Sequence, residues 1–314
     1  MKEYIIGKNE AGQRFDKYIF KLLKNAGTGL IFKQLRNKNI VLNGKKAKGN
    51  EILKENDSVR VFMSDDTINK FTGGPLHISK TGFRLDVIYE DDDILLASKP
   101  VGVLSQKSSD KDISMNEYLI EYLTDNGFGK ENLATFKPSF CNRLDRNTSG
   151  LMIAGKSLRG LQKMSEIIKD RSIHKFYLTI VKGIVDKKSV IKGYLRKDEK
   201  NNKLVIYDNP VKDSYEIHTE YEPLATKDDM TLLKVRLITG KTHQIRAHLA
   251  GISHPVLGDF KYGDKVFNEK YGEKKQLLHS YQVVFPKLDD FPDISEKSFN
   301  TPYPVNFTKY FKEN

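Results

Sequence analysis

Residues 141–151 read Cys141-Asn142-Arg143-Leu144-Asp145-Arg146-Asn147-Thr148-Ser149-Gly150-Leu151. One carboxylate follows an arginine by two residues and directly precedes another. Guanidinium groups so placed favour the ionised carboxylate and can also bind phosphates. Thr148, Ser149 and Gly150 are turn formers and predict an exposed loop. An Asp-Arg surface turn is the commoner origin of such a pattern, so the stretch acquires meaning only from its surroundings.

Upstream, Val87-Ile88-Tyr89 and Ile94-Leu-Leu-Ala-Ser98 flank the acidic turn Glu90–Asp93. They predict a hairpin that runs into Lys99-Pro100-Val101-Gly102, where Pro and Gly end the strand in a shaped loop. Downstream, Leu158, Leu161, Met164 and Ile168 have helical spacing. A β-rich stretch at 175–183 follows, then a hairpin through Asn201-Asn202 and strands near 213–221 and 231–238. Thr242 is placed to cap a helix that turns Ile245 and Leu249 inward. The class expected is α+β, a mixed, largely antiparallel sheet flanked by helices.

The chain has 314 residues, which predicts two domains. With 38% hydrophobic residues, 17 Phe and 15 Tyr it is not a disordered chain, and no apolar run reaches the ~20 residues of a membrane-spanning helix. No membrane partner is expected. Met1–Lys8 lacks the apolar segment of a secretory signal, and Cys141 is the single cysteine. A disulfide framework and a cysteine zinc cluster are thereby excluded, and the cytosol is the expected compartment. There is no Gly-rich phosphate loop followed by Lys-Ser or Lys-Thr. His243 and His248 are five apart, off a shared helical face, with no His-Glu-x-x-His pattern, so no metal site is expected.

Fifty-three Lys and Arg against 41 Asp and Glu give a formal charge of +12. Residues 1–64 hold 14 basic and 6 acidic side chains, so the front fifth carries most of the surplus. Such a field draws polyanions by releasing their counterions. Phe15, Ile19, Leu22 and Leu23 predict a first helix over 14–24, broken by Gly27 and Gly29. Leu30–Lys38 predicts a second, with Ile31 and Leu35 inward and Lys33, Arg36 and Lys38 outward. Asn43-Gly44 is the strongest short hairpin signal, and Asp57–Phe62 closes the unit as a strand. Residues 65–81 contain Asp65-Asp66 and Gly73-Gly74-Pro75 without apolar periodicity and are read as a linker, leaving 82–314 as a second domain. Residues 12–62 resemble the small alpha-L RNA-binding module first described in a ribosomal protein, which makes Arg14, Lys17, Lys33, Arg36, Lys45 and Lys46 candidate RNA contacts.

The stretch Asn142–Leu151 resembles the signature of the RluA-type pseudouridine synthases, His-Arg-Leu-Asp-x-x-Thr-Ser-Gly. Further segments resemble that family in its order: Tyr89–Gly102 with its Lys99-Pro100, Lys175-Phe176-Tyr177, and Thr239–Leu249 followed by His254–Gly263. Together they cover about residues 82–285. The resemblance implies isomerisation of uridine in RNA: the bond from uracil nitrogen 1 to the ribose breaks, the base turns, and carbon 5 is rejoined to the sugar. No cofactor or metal is implied. Asp145 matches the family's aspartate, as nucleophile or electrostatic stabiliser. Arg246 would hold it ionised and aimed. Tyr177 would stack on the uracil and assist proton removal at carbon 5, and Arg143 would fill the stack vacated by the flipped base. Arg146, Lys241 and His243 are candidate RNA contacts. Asn142 stands where the family has His, and cannot titrate near neutral pH; Lys241 stands for a common Arg. Structured RNA is the expected partner, ribosomal RNA before transfer RNA, for a monomeric enzyme. The alternative outside catalysis is a ribosome-assembly factor that keeps the fold.

Overall fold

The computed structural model describes residues 1–73, 80–129, 133–198 and 203–312. The N-terminal unit is built from β1 (Lys2–Ile5), α1 (Phe15–Leu22), α2 (Thr28–Arg36), β2 (Ile40–Leu42), β3 (Lys45–Lys46), β4 (Ser58–Val61) and α3 (Asp65–Thr72), with sheet order β1-β4-β2-β3. Phe15, Ile19, Leu22 and Leu23 from the first helix and Ile31 and Leu35 from the second are all buried in its core. The β2–β3 hairpin turns on Asn43 (φ 50°) and Gly44 (φ 71°), the two left-handed residues that match the twist of the paired strands. Lys17, Lys33, Arg36, Lys45 and Lys46 are exposed.

The stretch 65–81 does not begin as a linker. Ser64 caps α3, its hydroxyl accepting from Thr67 N–H at 3.4 Å. Asp65 and Asp66 lie in the first turn, where the helix dipole favours negative charge. Ile68 is fully buried with the core of the N-terminal unit. The acidic pair that reads as loop composition is a helix start. Gly74-Pro75 and the Asn201-Asn202 hairpin tip lie outside the described residues.

Beyond it, β5 (Asp86–Glu90) and β6 (Ile94–Lys99) form the expected hairpin, followed by α4 (Met115–Asp125), β7 (Ser139–Phe140), β8 (Ser149–Gly155) and α5 (Leu158–Lys169). Next come β9 (His174–Lys182), β10 (Ser189–Asp198), β11 (Lys203–Tyr207), β12 (Tyr215–Lys227), β13 (Met230–Leu237) and α6 (Gln244–Gly251). The chain ends with α7 (Lys265–Tyr271), β14 (Leu278–Val284), β15 (Ser298–Asn300) and α8 (Val305–Thr308). The main path of the sheet runs β11-β10-β12-β13-β9-β14-β8-β6-β5, with β15 paired to β14 and β7 to β8. Among the described residues only the β14–β8 pair is parallel, so the sheet is mixed and largely antiparallel.

Its central strands are buried on both faces, which is why they read as continuous apolar runs. Leu95, Ala97, Met152, Ala154 and Tyr177 pack on one side with Leu119 of α4 and Ile245 and Leu249 of α6. Ile94, Leu96, Leu151 and Ile153 pack on the other with Met164 and Ile167 of α5. The two units touch through polar contacts: the buried Glu10 carboxylate accepts from Thr135 Oγ1 at 2.8 Å, and Leu158 N–H donates to Asn9 Oδ1 at 3.1 Å.

Candidate active site

At the parallel junction of the sheet, Ser149 and Gly150 of β8 pair with His279 and Ser280 of β14, and Tyr177 of β9 pairs with Ser280 on the other side of β14. Gly150 has φ 103°, and a Cβ there would lie 2.1 Å from Ser280 O. Thr148 is buried, with its hydroxyl accepting from Gln276 Nε2 at 2.7 Å. Thr148-Ser149-Gly150 therefore does not expose a loop. It packs the start of β8 against β14, and residues 141–147 stand above that junction.

A cavity of about 780 Å³ opens over it, of the size that suits a small ligand or one nucleotide. Asp145, Tyr177 and Arg246 line it, as do Arg143, Arg146, Lys241 and His243. The sequence-predicted catalytic residues and the pocket cations are thus brought together. Arg14, Lys17, Lys33, Arg36, Lys45 and Lys46 are on the N-terminal unit and do not line it.

Arg246 lies in the first turn of α6, and its side chain is only 8% exposed. Its Nη1 donates to Asp145 Oδ2 at 2.7 Å. The other edge of the guanidinium grips Asp259: Nε donates to Oδ2 at 2.7 Å and Nη2 to Oδ1 at 2.8 Å. Asp259, with a fully buried side chain, also accepts the backbone N–H groups of Lys261 and Tyr262. Burial alone would raise the Asp259 carboxyl, but the Arg246 fork and these N–H groups outweigh it and hold it below its ordinary value. Burial likewise opposes the charge on Arg246, and Asp259 first, then Asp145, overcome it and raise the guanidinium. Asp259 is a site residue that the sequence reading passed over, although it lies in a quoted segment.

Asp145 is 23% exposed at the cavity wall. Its Oδ2 meets Arg246 and faces His243 Nε2 at 3.8 Å. One oxygen is fixed, and the other has no hydrogen bond among the described residues, in a side chain that lines the cavity. Lys99 supports the loop from below. Fully buried, its ammonium donates to the carbonyls of Pro100, Val103 and Arg146 at 2.9, 2.7 and 3.0 Å. Burial pulls it down to about 8, opposed by the charge of Asp145.

Asn142 plays a structural part: its Oδ1 accepts Ile153 N–H at 2.8 Å and ties the loop to β8. Arg146 Nε donates to Gly102 O at 3.0 Å, and the exposed Arg143 lines the mouth. The Lys241 ammonium sits 3.8 Å from the centre of the Tyr215 ring, a cation–π contact. Thr242 does not cap α6. The cap position is His243, in the left-handed region (φ 52°) and without a side-chain cap. Gln244 does the joining instead. It accepts from Thr239 Oγ1 and Lys241 N–H, and donates to His218 O and Thr219 Oγ1. Arg14 is held by the buried Asp16, Nη2 to Oδ2 at 2.6 Å. Burial pushes the Tyr177 phenol up to about 12, with Ser280 lowering it and Asp145 adding to the rise.

The RNA pseudouridylate synthase family model matches residues 93–251, which include Asp145, Tyr177, His243 and Arg246. An uncharacterised RNA pseudouridine synthase of Mycoplasma genitalium is 31% identical over 304 residues, covering 94% of this chain and 93% of its own length. A ribosomal large subunit pseudouridine synthase C of Pasteurella multocida is 28% identical over 295 residues, covering 91% and 86%. Among solved structures, human RNA pseudouridylate synthase domain containing 1 shares the fold with a TM-score of 0.57 at 21% identity, over 72% of this chain and 86% of that one. With a family match over half its length and near-full-length relatives above 30% identity, the chain belongs to the RNA pseudouridylate synthase family.

Proposed function

We propose that the chain converts uridines of large-subunit ribosomal RNA to pseudouridine, with Asp145 as the reacting carboxylate through Oδ1. The observation that carries the assignment is the one-sided restraint of Asp145. Oδ2 is taken up by an arginine that is itself clamped by a buried carboxylate, and Oδ1 has no hydrogen bond among the described residues in a side chain that lines the cavity. Breaking the bond between uracil nitrogen 1 and the ribose develops negative charge on the departing base and cation-like character on the sugar. A fixed, ionised oxygen beside it serves either as nucleophile or as the compensating charge. The reaction is then completed by loss of the proton on carbon 5 and gain of one at nitrogen 1.

Tyr177 forms the floor against which the uracil stacks. Its phenol keeps its own proton at neutral pH, so it can take the carbon 5 proton only as it delivers its own toward the base, whose nitrogen 1 must gain one. Arg143, exposed at the mouth, is placed to enter the stack left by the flipped uridine, and Arg146 and Lys241 to meet phosphates. Lys17, Lys33, Arg36, Lys45 and Lys46, exposed on the N-terminal unit, extend that contact. The name of the Pasteurella relative supports the ribosomal target. The test is tritium release from RNA carrying 5-tritiated uridine, with ribosomal and transfer RNA prepared from cells lacking the protein. Release from large-subunit ribosomal RNA supports the reading, and release from transfer RNA alone overturns the choice of target.

A further inference from the structure

His243 faces the same Asp145 oxygen as Arg246, in an unusual backbone conformation for a residue with a side chain. Its other ring nitrogen, Nδ1, lies 3.1 Å from the hydroxyl of Tyr262. That hydroxyl also receives the backbone N–H of Leu204, in β11, at 3.1 Å. The donors and acceptors allow an arrangement in which the phenol and both ring nitrogens each have a role. A backbone N–H can only donate, so the Tyr262 oxygen accepts from Leu204 and keeps its single proton to donate. Among the described residues the remaining partner is His243 Nδ1. When Tyr262 donates to Nδ1, that nitrogen is unprotonated and the proton of the neutral ring sits on Nε2, on the side of Asp145 and the cavity. Burial favours the neutral ring, opposed by the charge of Asp145 and seconded by Arg246 and Lys261. Tyr262 is itself held in place by its ring, which lies 5.3 Å from the Arg246 guanidinium.

We propose that Tyr262 and His243 form a positioning pair: Tyr262 fixes His243 as the Nε2–H tautomer, and that proton gives Asp145 Oδ2 its second donor beside Arg246, leaving Oδ1 as the reacting oxygen. The separation of 3.8 Å is longer than a hydrogen bond, so for Nε2 to donate the gap must shorten when substrate fills the cavity, as catalytic hydrogen bonds do. The arrangement also ties the reacting carboxylate to the β10–β11 hairpin through a single phenol, because Leu204 belongs to that hairpin. The inference rests on the uridine-isomerase reading for its kinetic part and on hydrogen-bond geometry alone for the tautomer.

Nitrogen-15 NMR of the full-length protein labelled at histidine reads the tautomer directly, with the His243 signals identified by their loss in His243→Gln. We expect Nε2 to be protonated and Nδ1 not, at neutral pH and without RNA, and Tyr262→Phe to convert this into a mixture of tautomers. An Nδ1–H ring or an imidazolium in the wild-type protein would overturn the proposal without any variant needing to fold. In turnover, Tyr262→Phe keeps the ring over Arg246 and should lower kcat about tenfold, the value of one aligned hydrogen bond, with KM for RNA within about twofold. His243→Gln should make the Tyr262→Phe change silent, since nothing then remains for Tyr262 to orient; additive losses would contradict the pair. A wild-type protein inactive on every RNA would overturn the uridine reading and leave the tautomer result standing.

Discussion

Asp145 owes its geometry to a residue that never touches the cavity's contents. Asp259 fixes both Nε and Nη2 of Arg246, so that the one remaining edge of the guanidinium points at Asp145 Oδ2. Asp259→Asn replaces one accepting oxygen with an amide that donates toward a donor and leaves a buried guanidinium short of countercharge. Loss of one partner of a buried pair costs about 3–5 kcal/mol of stability. A carboxylate that is no longer aimed costs about 100-fold in single-turnover rate. Thermal melting and single-turnover kinetics check both, and a variant with wild-type rate would mean that Arg246 aims itself. The Asp-Arg alternation around Asp145 was readable because charge spacing is local. Asp259 was not, because its meaning comes from a guanidinium thirteen residues away that folding turns onto it. Lys99 was visible as part of a motif, but its use of three loop carbonyls follows only from its burial.

At the level of elements, apolar periodicity located α1, α2, α5 and the β5–β6 hairpin, where one face or a short run is buried. It passed over α4, although Ser114 and Glu117 form a capping box at its start, since its buried positions are mixed with Tyr and Glu. It also treated α3 as loop, because a short helix with one fully buried residue has almost no period to read. The pairing of β8 with β14 joins residues about 130 apart and has no local signal. His279 sits at that junction. Its ring bridges Ser149 Oγ at 2.8 Å and Thr301 Oγ1 at 2.6 Å, and burial pulls it down to about 4. The unfolded chain binds this proton near pH 6.5 and the folded one only near 4, so between these values the unfolded state holds more protons. Stability from this group is complete above about pH 6.5 and is lost as the pH falls toward 4, by at most ~1.4 kcal/mol per pH unit. Thermal melts from pH 7 to 4.5 should fall less steeply for His279→Gln than for the wild type. Equal slopes would mean that burial does not hold this ring below its ordinary value.

For the whole molecule, the division of charge separates grip from chemistry. Residues 1–73 carry 15 basic and 8 acidic side chains. They contain none of the cavity-lining residues, and α3 moves the natural cut from residue 64 to residue 73. A protein lacking 1–73 should keep its chemistry at saturating RNA and lose affinity. If about four of the removed cations touch phosphate, the slope of log affinity against log salt falls by ~3. An unchanged slope in a salt titration would mean that the unit meets something other than RNA. What the molecule does with the RNA it holds turns on a single oxygen. The most direct measurement is tritium release from 5-tritiated uridine RNA by the full-length protein and by Asp145→Asn, each at RNA concentrations that saturate binding. The wild type should release tritium. Asp145→Asn, which keeps the shape but not the charge, should bind RNA with nearly unchanged affinity and release none. Turnover by Asp145→Asn within about tenfold of the wild type, less than one acid–base group ordinarily contributes, would contradict the assignment of Asp145 as the reacting carboxylate.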